Sequence, residues 1–146
     1  MPDWRDVSVW ERLAATAADA DGVVAAAARV QGDAAERPYA EKLLFVGEDQ
    51  ETPFHAHKVK LEDIITRGGG NLMVEFTRAG SFADDDMVRV DGRLVPAYQG
   101  PIRIAPGASI TIPRGVMHRF YGEEGHGPVF VACTFPMPWQ VTRLAA

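Results

Sequence analysis

Over most of this chain, apolar residues come in short or alternating runs that polar and glycine-rich clusters interrupt. The runs cover residues 41–46, 54–65, 71–76, 87–90, 102–104, 109–112, 118–121 and 129–135. Between them stand Gly68-Gly69-Gly70, Asp84-Asp85-Asp86, Asp91-Gly92, Pro106-Gly107, Pro113-Arg114-Gly115 and Gly122-Glu123-Glu124-Gly125. A strand alternates its side chains between two faces, so short runs punctuated by turn residues at this spacing predict an all-β sandwich or barrel. Asp91-Gly92 is the strongest hairpin signal, because both residues tolerate the positive φ of a two-residue turn.

The first 37 residues have a different texture. Alanine dominates, and Leu13, Val23, Val24 and Val30 are the apolar points. Asp6 or Ser8 can cap a helix running through Trp10 and Leu13 and ending near Asp19 to Gly22. Residues 22–31 read as helical by their alanines, but Val23, Val24 and Val30 leave a strand open. The expected organisation is a helical N-terminal extension, residues 1–37, followed by a β-barrel, residues 38–146.

Charge and cysteine content change the picture little but exclude some partners. With 146 residues the chain is long enough for one domain with a buried core. The 15 Lys and Arg against 20 Asp and Glu give a net charge of -5 and no basic stripe, which argues against nucleic acid. Cys133 is the only cysteine, so no intrachain disulfide can form and a reducing compartment is expected. No apolar run approaches the ~20 residues of a membrane span, and the N-terminus lacks the pattern of a secretory signal. A cytoplasmic protein with no membrane partner is the expectation.

Chemistry concentrates on the histidines. The chain has four, His55, His57, His118 and His126. On a strand, the spacing in His55-Ala56-His57 puts both imidazoles on one face, about 7 Å apart along the backbone, where they can converge on one ion. Glu62 stands at an odd offset from His57, so sharing that ion requires a bulge or bend between them. If regular strand resumes after the bend, Lys60 faces the same interior as Glu62. His126 lies in a loop composition and reads as solvent-exposed. Gly68-Gly69-Gly70 lacks the following Lys-Ser/Thr of a phosphate loop and reads as a tight turn, and Asp84-Asp85-Asp86 as a solvated one. Glu41 and Tyr39 share a strand face and are candidates for the pocket or its rim. Trp4, Trp10 and Trp139 are suited to packing on the barrel or to a dimer interface.

Two longer patterns resemble the motifs of the cupin superfamily. The first is His55-Ala56-His57, four residues, Glu62, six residues, Gly69. The second is Gly107, five residues, Pro113-Arg114-Gly115, two residues, His118, with Gly122 where the motif ends on Asn. The resemblance implies a double-stranded β-helix, or jelly-roll barrel, with His55, His57, Glu62 and His118 turned inward onto one divalent transition metal. A mixed nitrogen and carboxylate set suits Mn, Fe, Zn, Co or Ni better than Mg or Ca.

A narrower resemblance, from Tyr39 to Val131, is to the D-lyxose isomerase family. Its carriers are the runs at 39–46, 52–57, 60–65 and 67–72, then Pro106 to Pro113, His118 and Gly122-Glu123. The resemblance implies manganese, a small sugar as substrate and aldose–ketose interconversion. Lys60 becomes the candidate catalytic and substrate-binding residue, with Glu41 a second substrate-binding candidate. The resemblance implies a glutamate on the strand after the last metal histidine, and there the chain departs from the family, because Cys133 stands in its place. A metal-dependent oxygenase and a non-catalytic sugar-binding cupin are the competing readings. Open barrel edges and terminal tryptophans favour a homodimer.

Overall fold

The computed structural model describes residues 24–31, 39–58, 61–83 and 86–136. These form ten strands and no helix: β1 Val24–Gln31, β2 Tyr39–Val46, β3 Glu62–Gly69, β4 Leu72–Thr77, β5 Met87–Val90, β6 Arg93–Pro96, β7 Ile102–Ile104, β8 Ser109–Ile112, β9 Met117–Gly122 and β10 Val129–Pro136. A seven-stranded sheet has the order β1-β2-β10-β3-β8-β5-β6, and a three-stranded sheet the order β7-β4-β9. Every pairing between these strands is antiparallel.

Period-two burial explains why the two sheets stack. Leu72, Val74 and Phe76 of β4 and His118 and Phe120 of β9 point inward from the smaller sheet. Ile64 of β3, Ile110 and Ile112 of β8 and Val129 and Val131 of β10 meet them from the larger one. Fully burying each aliphatic side chain contributes about 1.5–3 kcal/mol, so this shared interior holds the layers together. The polar member at its far end, Thr66, is satisfied by donating Oγ1 to the Ile104 carbonyl at 3.1 Å.

Two turns follow from backbone constraints. Asp91 (φ 46°) and Gly92 (φ 79°) make the β5–β6 hairpin that their sequence predicts. Gly68 and Gly69, expected in a turn, instead end β3 itself. Gly69 has φ 80°, and a Cβ there would stand 2.2 Å from the Pro128 carbonyl oxygen, so this glycine lets the β10 approach pass close by.

The strand pattern differs from expectation in three places. The run at 54–65 is not one strand, since β3 begins only at Glu62. The strand β6 has no counterpart among the apolar runs, because it lies on the sheet edge and three of its four residues are exposed. The open choice at 22–31 is resolved as strand over Val24–Gln31, paired to β2, so the large sheet takes in a piece of the segment assigned to a helical extension. The helix expected before it, and Trp4, Trp10 and Trp139, lie outside the described residues.

Candidate metal centre

Residues 51–57 run beside β9 as an extended edge without forming a continuous ladder. Isolated bridges join Glu51 to Tyr121 and His55 to His118. His55 and His118 exchange both backbone hydrogen bonds, each at 2.9 Å, and Gly115 donates its amide to the His57 carbonyl at 2.9 Å. His55-Ala56-His57 therefore does not sit on a strand of its own, as the spacing predicted. It borrows its extended shape from β9. The chain then bends at Lys58 and enters the opposite sheet at Glu62, which supplies the change of direction that the odd offset required.

The four side chains converge. One ligand atom from each of His55, His57, Glu62 and His118 lies within 4.8 Å of the others, a group able to hold one metal ion. His57 Nε2 is 2.9 Å from Glu62 Oε2, and His118 Nε2 is 3.5 Å from the same oxygen. The imidazole centroids are 4.4 Å apart for His55 and His118, 5.0 Å for His55 and His57, and 5.5 Å for His57 and His118. Phe76, 6.4 Å from His118 between centroids, forms part of the apolar wall.

Hydrogen bonds fix the ring orientations. His55 Nδ1 donates to the Pro53 carbonyl at 2.8 Å, and His118 Nδ1 to the Val116 carbonyl at 2.9 Å. With Nδ1 protonated, Nε2 keeps its lone pair for a ligand bond. Burial holds the His55 imidazole below its ordinary pKa, against the opposing hydrogen bond to Pro53, and the His118 and His57 rings add to the lowering. This favours the neutral form that coordinates metal.

The residues fit such an ion on one further observation. His118 is fully buried, yet its Nε2 finds no hydrogen-bond partner among the described residues. Orphaned buried nitrogen costs free energy unless something occupies the position it faces. A set of three imidazole nitrogens and one carboxylate suits a first-row transition metal.

The remaining candidates divide. Lys60 lies outside the described residues. Glu41 pairs with Thr134, and Thr134 with Asp63. Directly opposed residues share a face, so Asp63 and Thr134 lie on the side of the sheet opposite to Glu62 and Ile64, while Glu41 is placed by its register alone. Cys133 pairs with Ile64 and is only 2 % exposed, which puts it on the interior face with Val131. His126 is an exposed loop residue, 3.6 Å from Glu123 and apart from the ligands, and Asp86 is bound to Arg78.

Comparison with known proteins agrees with both resemblances. Residues 21–134 match the family model described as D-lyxose isomerase. Proteins named D-lyxose/D-mannose isomerase from Escherichia coli O157:H7 and Serratia proteamaculans are each 47 % identical over 98 residues, covering 64 % of this chain and 43 % of theirs. The chain thus spans less than half the length of these curated relatives. Among solved structures, a cupin-2 domain protein from Shewanella frigidimarina superposes with a TM-score of 0.50 at 21 % identity, covering 76 % of this chain and 80 % of that one. An L-ribose isomerase from Cellulomonas parahominis gives 0.53 at 17 % identity, covering 73 % and 52 %. These structural likenesses show the fold, a cupin barrel.

Proposed function

The chain belongs to the D-lyxose isomerase family, and from that premise we propose that it is a metal-dependent sugar isomerase interconverting an open-chain aldose with its ketose. The observation that carries the reading is the inward cluster of His55, His57, Glu62 and His118, with the unsatisfied Nε2 of His118 facing it. Manganese is the first choice of ion, with Zn, Fe, Co and Ni as alternatives of the same ligand chemistry. When bound, a divalent ion supplies Lewis-acid polarisation of the sugar carbonyl and its neighbouring hydroxyl, which acidifies the proton to be moved between C1 and C2.

The protein residues hold and enclose. His55, His57 and His118 would hold the ion through imidazole nitrogens and Glu62 through one carboxylate. Phe76 and the core aliphatics exclude water from one side of the site. Lys60 is proposed to hydrogen-bond the sugar oxygens on which negative charge develops, and to carry a proton if its surroundings lower its pKa. Glu41, a candidate for the pocket or its rim, is assigned no step in this proposal. Cys133 takes the interior place of the family glutamate, and a neutral thiol is a poor proton shuttle. This favours a substrate other than lyxose or a slow reaction. The protein is further proposed to be cytoplasmic and to work as a homodimer. No helix among the described residues is long and apolar enough to cross a membrane.

Metal analysis of the purified protein, combined with a screen of pentoses and hexoses for aldose–ketose exchange, tests the proposal. One ion per chain and metal-dependent turnover of at least one sugar are expected. A metal-loaded protein that binds sugars without converting any would make it a binding cupin instead, and oxygen consumption during turnover would make it an oxygenase.

A further inference from the structure

Outside the ligand cluster, one side chain ties together three pieces of polypeptide that otherwise meet only edge to edge. Arg119 follows His118 on β9, so strand alternation turns it to the outer face while His118 points inward. Its Nε and Nη2 donate to Glu75 Oε2 on β4, at 3.0 and 2.8 Å. Its Nη1 donates to Glu51 Oε2 at 3.0 Å, on the segment that carries His55 and His57. The guanidinium carbon also lies 4.9 Å from the ring centroid of Phe54, the residue before His55, and 5.6 Å from that of Tyr121.

The 51–57 segment depends on such a fastening. Among the described residues its bridges are to β9 alone, and they are isolated rather than a ladder. Thr52 adds a local tie, donating its amide to the Phe120 carbonyl and accepting the Phe120 amide on Oγ1, each at 3.0 Å. Arg119 supplies the cross-brace. Two of its nitrogens are anchored on Glu75, and the third, with the flat face of the group, holds the segment at Glu51 and Phe54. Only a planar fork can bond two carboxylates and stack on a ring at once; a lysine ammonium cannot.

We propose that Arg119 is a positioning residue for the metal centre, setting where His55 and His57 stand relative to His118 and Glu62. The inference rests on the metal reading above. Exposed ion pairs add little to global stability, so the consequence falls on ligand geometry rather than on folding. Loss of groups that orient metal ligands weakens binding by roughly 10–100-fold. Arg119 acts through the backbone, which places its effect at about the lower bound of that range.

Titration of Mn²⁺ into metal-free protein and the visible spectrum of the Co²⁺-loaded protein read the centre without reference to turnover. Arg119→Met is expected to bind Mn²⁺ roughly tenfold more weakly and to shift the Co²⁺ bands, with a thermal midpoint in EDTA close to that of the wild type. Arg119→Lys recovers part of the affinity. If Arg119→Met does not fold, the double variant Glu51→Gln, Phe54→Ala removes only the segment's half of the brace, leaves the Glu75 pair intact, and shows the same direction of change. Wild-type affinity and spectrum in these variants overturn the proposal alone. A wild-type protein that takes up no metal overturns the metal reading, and this inference with it.

Discussion

Glu62 and His118 face each other from different sheets, with Oε2 and Nε2 3.5 Å apart, and Glu62 opens β3 where His118 lies near the start of β9. Two sheets must therefore stack correctly before the centre exists, while the apolar interior that stacks them does not need the centre.

That asymmetry predicts the outcome of removing a ligand. His57→Ala and His118→Ala are expected to lose most bound metal while keeping the β-rich far-UV spectrum of the wild type. Elemental analysis and circular dichroism on the same preparations check this, and full metal occupancy in His57→Ala would remove that residue from the ligand set.

Lys60→Met separates substrate handling from metal binding. The variant is expected to keep its metal and to lose sugar turnover by roughly a hundredfold, the scale of one charged hydrogen bond made in a transition state. Unchanged steady-state kinetics would place Lys60 outside the site.

At Cys133 the interior row allows a gain of function. Its neighbour in the register, Ile64, stands two residues from Glu62 on the same face. Wild-type isomerisation of D-lyxose is expected to be slow, and Cys133→Glu to raise it, because a positioned acid–base group typically contributes ~10²–10⁴-fold. Ketose formation measures this. Fast wild-type turnover that survives Cys133→Ala would assign the proton transfer to another group.

Acid stability is expected to depend on the opposite end of the barrel. Glu123 accepts from Asn71 Nδ2 at 2.6 Å and pairs with Arg103. The Asn71 hydrogen bond, then the Arg103 guanidinium, hold its carboxyl below the ordinary 4.5. A depressed carboxylate stabilises the fold above its unfolded pKa, and that contribution is lost as pH falls from 4.5 through the folded value. Denaturant titrations of Glu123→Gln should therefore show a shallower decline below that pH than the wild type.

The sequence made some of this legible and hid the rest for identifiable reasons. The four residues of the candidate metal centre could be brought together from sequence because each sits inside a motif whose spacing is local, and the bend after His57 follows from the parity of Glu62. The shape of residues 51–57 could not, since it comes from bridging to β9, far away in the chain. An edge strand such as β6 shows no buried alternation, and alanine in β1 carries a helical propensity that pairing with β2 overrides. Strand parity puts Glu41 and Tyr39 on one face without saying which face is inward. The brace at Arg119 draws on three elements at once, and no single stretch of sequence contains it.

The reciprocal backbone hydrogen bonds between His55 and His118 bear on how such a barrel diverges. Peptide groups hold the backbones of these two residues together, and the side chain of Arg119 braces the segment from outside. Side chains lining the wall can then be exchanged, lengthened or lost over generations while the centre keeps its dimensions. A lineage built this way can change its sugar before it changes its metal.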